Sequence, residues 1–168
     1  MKIPEGISVE LKQGAVKVQG KLGTVERKYD ARFMNVEKKG EEIAITAKGK
    51  TTRKMNAALG TLEAHLGNAF EGVTKGFEKH LAVVFAHFPI TVEVKGREAL
   101  VKNFLGEKIP RKADIIGATK VEAKGQDVFV RGSDSDDVGQ TAANLVASTK
   151  VREKDVRRFQ DGIYYAPE

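Results

Sequence analysis

Apolar and polar side chains alternate at the start of this chain. Ile7, Val9 and Leu11 are separated by single polar residues, and Val16 and Val18 repeat the pattern after a Gln13-Gly14 turn. A period of two is the mark of an antiparallel strand with one face buried. Residues 24–29 predict a third strand. Residues 33–37 and 43–47 predict two more, flanking Lys38-Lys39-Gly40-Glu41, where the glycine marks a hairpin turn. The period then changes. Met55, Leu59, Leu62, Leu66, Phe70 and Val73 recur at steps of three and four, which places them on one face of a helix. Thr51 or Thr52 is the expected N-cap, and Gly72 and Gly76 bracket the exit.

The second half follows the same plan. Strands are expected over 81–88, 90–95, 99–103, 119–122 and 127–131, and a helix from Ser133 or Asp134 with Val138, Ala142, Leu145 and Thr149 on its inner face. Residues 151–168 show neither period. They are expected to leave the fold as a basic and aromatic tail carrying Phe159, Tyr164 and Tyr165.

The two halves also repeat in sequence. Ile7-Ser8-Val9-Glu10-Leu11-Lys12 returns as Ile90-Thr91-Val92-Glu93-Val94-Lys95, and Val18 to Gly23 returns as Val101 to Gly106, both at an offset of 83. Val36-Glu37-Lys38-Lys39-Gly40 returns as Val121-Glu122-Ala123-Lys124-Gly125 at an offset of 85. Same order with one small length change indicates an internal duplication. The expected fold class is α+β: two tandem duplicated domains, 1–80 and 81–168, each a small antiparallel sheet with one packed helix.

Composition narrows the function. Hydrophobic residues make up 40% of 168, enough for a folded interior. There is no cysteine, so disulfide and thiolate chemistry are excluded. No run of about 18 apolar residues is present, and Met1-Lys2-Ile3-Pro4-Glu5 is not a signal peptide, so a cytoplasmic protein is expected. Net charge is +6, and its distribution says more than the sum. In the second half, Asp134, Asp136 and Asp137 form an acidic knot, while Lys150, Arg152, Lys154, Arg157 and Arg158 form a basic stretch.

Candidate chemistry is sparse. His65, His80 and His87 lack metal-ligand spacing, and no nucleophile elbow, phosphate-binding loop or dinucleotide fingerprint occurs. No cofactor, small-molecule substrate or membrane partner is indicated, and the chain does not read as an enzyme. The acidic knot sits where a helix begins, so it reads as a capping device favoured by the macrodipole. The competing reading, a hydrolase holding a divalent metal on Asp134 and Asp137, would need metal-dependent activity. Binding remains. Residues 103–112, Asn103-Phe104-Leu105-Gly106-Glu107-Lys108-Ile109-Pro110-Arg111-Lys112, join two strands and combine Gly and Pro with three cations. With the basic tail they point to nucleic-acid binding, against the plainer reading of a solvated loop and a solvated terminus.

Those segments also carry a resemblance. Asn103-Phe104-Leu105-Gly106-Glu107-Lys108, Val138-Gly139-Gln140-Thr141-Ala142-Ala143, Phe159-Gln160-Asp161-Gly162-Ile163-Tyr164 and Gly72-Val73-Thr74-Lys75-Gly76-Phe77 resemble the archaeal and eukaryotic branch of the large-subunit ribosomal protein L6 family. The likeness runs in order through nearly the whole chain. It implies a structural component of the large ribosomal subunit that binds ribosomal RNA mainly through the second domain. It further implies a position near the sarcin–ricin loop and the translation-factor site, with neighbouring proteins near the stalk base. The alternative is a free RNA-binding or regulatory protein of the same fold. The expected contact residues are Lys102, Asn103, Lys108, Arg111, Lys112, Gln140, Arg152, Lys154, Arg157, Arg158, Tyr164 and Tyr165. Cations would meet phosphates, and the amide and phenol groups sugars and bases.

Overall fold

The computed structural model describes residues 1–168 apart from 41, 50, 51 and 168, and only the backbone of residue 39. It divides into two compact units, Met1–Gly76 and Phe77–Glu168. The fold is α+β, with small antiparallel sheets and one helix in each unit.

In the first unit, β1 (Ser8–Lys12), β2 (Ala15–Gly20) and β3 (Gly23–Lys28) form an antiparallel sheet in that order. A hairpin of β4 (Met34–Lys39) and β5 (Glu42–Ala47) follows, then helix α1 (Arg53–Thr74). The alternation seen in the sequence is the alternation of burial: Val9, Val16, Val18, Val36 and Ile43 face inward. Leu62, Leu66, Phe70 and Val73 of α1 close over them, with Met55 and Leu59 packed at the edge. Thr52 is the N-cap, its hydroxyl accepting from the Met55 N–H; the other candidate, Thr51, lies outside the described residues. Gly20 is required by closeness. A Cβ there would stand 2.7 Å from Cγ2 of Val73, so helix and sheet meet without an intervening side chain.

The second unit has β6 (Phe77–Val84), β7 (Thr91–Lys95), β8 (Glu98–Lys102), a single 3-10 turn at Phe104–Gly106, and β9 (Arg111–Asp114). Then come β10 (Lys120–Lys124), β11 (Asp127–Gly132), helix α2 (Ser135–Ser148) and β12 (Gly162–Tyr165). One sheet has the order β7-β8-β9 and the other β10-β11-β6-β12, all antiparallel. Strand β6 runs unbroken through residue 80 and belongs whole to this unit. Val138, Ala142, Leu145 and Thr149 form the buried stripe of α2, as the periodicity predicts, and Thr141 joins them. Asp134 is its N-cap, its carboxylate accepting from the Asp136 N–H at 2.9 Å, with Asp136 and Asp137 in the first turn. The acidic knot is a helix start.

Three sequence expectations are corrected. Strand β6 occupies 77–84 rather than 81–88, because the polar half Glu78-Lys79-His80 pairs with β11 while Pro89 lies beyond the strand end. Arg111 and Lys112 are not in the loop; they open β9, which has one apolar residue, Ala113, and so no readable period. The tail does not leave the fold. Its residues 162–165 form β12 on the free edge of β6, with Ile163 buried in the core.

Candidate nucleic-acid interface

The connection from β8 to β9 is built as a rigid projection. Asn103 and Leu105 both have left-handed backbone, φ 59° and 50°, a conformation that costs an ordinary L-residue about 1–2 kcal/mol. Surrounding contacts hold it there. Asn103 Nδ2 donates to the Pro89 carbonyl at 3.1 Å, and Phe104 is buried in the core. A Cβ on Gly106, itself at φ 80°, would stand 3.3 Å from the Phe88 ring.

Arg111 is the clamp of this assembly. Its guanidinium lies over the Phe104 ring at 4.3 Å and grips Glu107 with both arms, at 2.8 and 2.6 Å. Its Nη1 also donates to the carbonyls of Ser148 (2.9 Å) and Lys150 (3.3 Å), which are left without helical partners at the end of α2. The Glu107 carboxyl is held below the usual carboxylate range, chiefly by the hydrogen bond from Arg111. Arg111 therefore joins the root of the loop to the first residue of the basic stretch, but its own charge is spent inside the protein.

The basic stretch is fastened at its far end as well. Asp161 is 1% exposed; its carboxylate accepts from the backbone N–H of Ala86 and of His87, and pairs with His87 Nδ1 at 2.6 Å. Burial is the largest single influence on this group and works to raise its pKa. The hydrogen bonds from Ala86 and His87 outweigh it, and the pKa lies below the ordinary aspartate value. The His87 ring stacks on Phe159 at 5.1 Å. The Ile163 N–H donates to Thr149 Oγ1, and the Ala166 N–H to the His80 carbonyl. Between the two anchorages, residues 151–158 form an exposed turn. The Asp155 carboxylate accepts from the Arg157 N–H, and its carbonyl accepts from the N–H groups of Arg158 and Phe159.

The expected contact residues fall into three groups. Lys102 and Lys112 are paired diagonally across neighbouring strands, with Glu93 at 2.6 Å and Glu98 at 3.1 Å, and Arg111 is the clamp. Lys108, Arg152, Arg157 and Arg158 are exposed, and their side chains form no ion pair with any described residue. Lys154 lies 4.9 Å from the Phe159 ring centre. The rest are polar. Asn103 braces the loop, Gln140 bonds Asn144 on the exposed side of α2, and Tyr164 donates to the Gln160 carbonyl. Tyr165 is half-exposed on β12. Missing from the sequence reading were Glu107, His87 and Asp161, which fasten the two segments that carry the unpaired cations. The Phe159-Gln160-Asp161-Gly162 motif was visible; its partner at His87, 74 residues away, had no signal.

A groove of about 480 Å³ runs beside α2, lined by Val146, Val151, Val156, Phe159 and Ile163 among others. No carboxylate or imidazole is among its lining residues. Among the described residues no helix is long and apolar enough to cross a membrane.

A profile of ribosomal protein L6 matches residues 88–162, the span holding the loop, α2 and the fastened stretch. The chain is 43% identical to the large ribosomal subunit protein uL6 of Methanosarcina mazei over 98% of this chain and 93% of that one. It is 45% identical to that of Staphylothermus marinus over 96% and 89%. With that of Archaeoglobus fulgidus the figures are 43% over 98% and 86%.

Proposed function

This chain belongs to the ribosomal protein L6 family, and we propose that it is a structural constituent of the large ribosomal subunit that holds large-subunit ribosomal RNA mainly through its second unit. The family is one of RNA-binding structural proteins, not enzymes, and the protein works in the cytoplasm on the ribosome. The observation that carries the reading is a division of labour among the cations. Lys102, Arg111 and Lys112 are consumed by carboxylates, whereas Lys108, Arg152, Arg157 and Arg158 are left unpaired by the described residues on segments pinned at both ends. A cation on a pinned backbone gives up side-chain freedom but little backbone freedom when it meets a phosphate, so its contact carries less ordering cost than one made by a loose tail.

The finer reading follows the family resemblance: a seat near the sarcin–ricin loop, beside the translation-factor site, with protein neighbours at the stalk base. Asn103, Gln140, Lys154, Tyr164 and Tyr165 complete the proposed contact set. Each has a polar tip or ring edge at the surface of the same unit.

Hydroxyl-radical footprinting of large-subunit RNA, with subunits assembled with and without the chain, tests the site. Protection confined to the helices at and around the sarcin–ricin loop is expected. A chain that washes off large subunits in high salt, or protects RNA elsewhere, would instead support a free RNA-binding or regulatory protein. Replacing Arg152, Arg157 and Arg158 together with alanine should flatten the log–log salt dependence of RNA binding by roughly 2–3 units.

A further inference from the structure

The most exposed large apolar side chain among the described residues is Ile109, at 81%. It stands between Lys108 and Pro110 at the tip of the β8–β9 connection. Strand register shows that this connection is an elaboration. Nine residues separate the paired Val101 and Arg111, whereas six separate the corresponding pair Val18 and Val25 in the first unit. The added length is not slack. Two left-handed non-glycine residues, the buried Phe104, the fork of Arg111 on Glu107 and the tie of Arg111 to the end of α2 all brace it from beneath. Backbone strain retained in this way is a feature of sites whose geometry is fixed before the ligand arrives.

We propose that this tip is a wedge that seats Ile109 in the minor groove of an A-form RNA duplex, with Lys108 on an adjoining phosphate. The inference rests on the rRNA-binding reading above and adds to it the helical form that is read and the side chain that reads it. The chemistry selects the duplex. Single-stranded RNA is gripped by stacking its bases on aromatic or guanidinium planes. Isoleucine has no such plane, and Arg111, at the root of the same connection, already lies on Phe104. The A-form minor groove is wide and shallow, and it presents ribose and base edges against which a rigid aliphatic side chain packs by shape. The deep, narrow major groove of A-form RNA is not read by side chains. Lys108, exposed and without an ion pair among the described residues, supplies the charge that a phosphate-lined groove attracts.

The chain has no cysteine, so Ile109→Cys creates a single attachment point for an iron chelate that cleaves nearby riboses. The modified full chain is bound to transcribed large-subunit RNA. Two short cleavage tracts are expected on opposite strands of one duplex, displaced from each other as they are across a minor groove. Cleavage confined to single-stranded nucleotides, or none from a protein that binds normally, overturns the proposal. In parallel, Ile109→Ala should weaken binding roughly five-fold, for lost apolar burial, without changing the salt slope. Lys108→Ala should lower that slope by about 0.7–0.9. Near-UV circular dichroism identical to the parent chain establishes that neither variant disturbs the fold. If the unmodified chain fails to bind the transcript, the rRNA reading falls and the wedge with it. If it binds while Ile109→Ala binds equally well, only the wedge falls. An Ile109→Ala chain that binds RNA normally but is lost from assembled subunits would place the tip against a protein and overturn the wedge too.

Discussion

Replacing Asp161 with alanine should unfasten the C-terminal segment and destabilise the second unit. The carboxylate is almost wholly buried and serves Ala86 N–H, His87 N–H and His87 Nδ1 at once. Hydrogen bonds to a charged group contribute about 1.5–3 kcal/mol, and a donor left unsatisfied in a part-buried site costs about 1–3 kcal/mol. The residues at 86 and 87 lie near the surface, so water recovers some of that loss, leaving about 2–4 kcal/mol. For a unit of this size the melting temperature should fall by about 10–25 °C. Asp161→Asn, which keeps an acceptor for the Ala86 N–H but loses the charge, should lose about half as much.

The pH dependence has a definite sign. The folded pKa of Asp161 lies below the ordinary aspartate value, so the carboxylate contributes fully above about pH 4 and that contribution is lost as pH falls through the folded pKa. The gap between parent and variant melting temperatures should hold from neutral pH down to about pH 4–5 and close below that. The assay is convenient because the chain has no tryptophan and three tyrosines, two of them, Tyr164 and Tyr165, in β12. Their near-UV signal reports the fastened segment. An Asp161→Ala protein melting within about 2 °C of the parent, with its tyrosine signal intact, would refute the clasp.

Deleting residues 152–168 removes β12 and the buried Ile163, and should unfold the second unit rather than leave its stability unchanged; amide exchange protection along β6 reads this directly. Arg111→Ala should destabilise by about 2–4 kcal/mol, since it leaves the Glu107 carboxylate and the carbonyls of Ser148 and Lys150 without their donor. Arg111→Lys should rescue little of that, because an ammonium cannot fork Glu107 and cover Phe104 together; chemical denaturation of the three proteins tests both points. Gly20→Ala should destabilise the first unit through its clash with Val73, with a denaturation midpoint equal to the parent's contradicting the close approach.

What the sequence disclosed and what it hid follow from the range of the interactions involved. Strands whose inward faces carry Val, Ile or Leu at every second place, such as β1, β2 and β5, were legible from period alone. The buried stripes of both helices were legible for the same reason. Strand β9 was not, because Arg-Lys-Ala-Asp is held by its pairing to β8 rather than by its own apolar content. Strand β12 contributes one core residue and is secured by partners in β6, at residues 86–87 and at Thr149, none of them local. The same limit blurred the candidate site. The sequence shows where basic residues cluster, but whether a cation is free depends on register. Lys102 meets Glu93 and Lys112 meets Glu98 only once the strands β7, β8 and β9 are aligned.

The duplication explains why the two projecting cation-bearing segments belong to the second unit. Both helices cover their sheets with one stripe in the same spacing, Leu62-Leu66-Ala69-Val73 in α1 and Val138-Ala142-Leu145-Thr149 in α2. The cores are thus solved in the same way, and what differs lies around them. In the first unit, a single bridge from Lys2 to Glu42 stands where the second unit has the eight-residue β6. The first unit compensates with a longer helix, 22 residues against 14. Widening the sheet with β6 gave β12 an edge to pair with, and pairing β12 brought residues 151–158 back against the end of α2. Shortening the helix placed its last carbonyls within reach of Arg111, which braces the longer loop. The wider sheet and the shorter helix together support both projecting segments. A loop of the same length grafted between β2 and β3 would lack both an arginine at the helix end and a returning strand, and its tip would not be held.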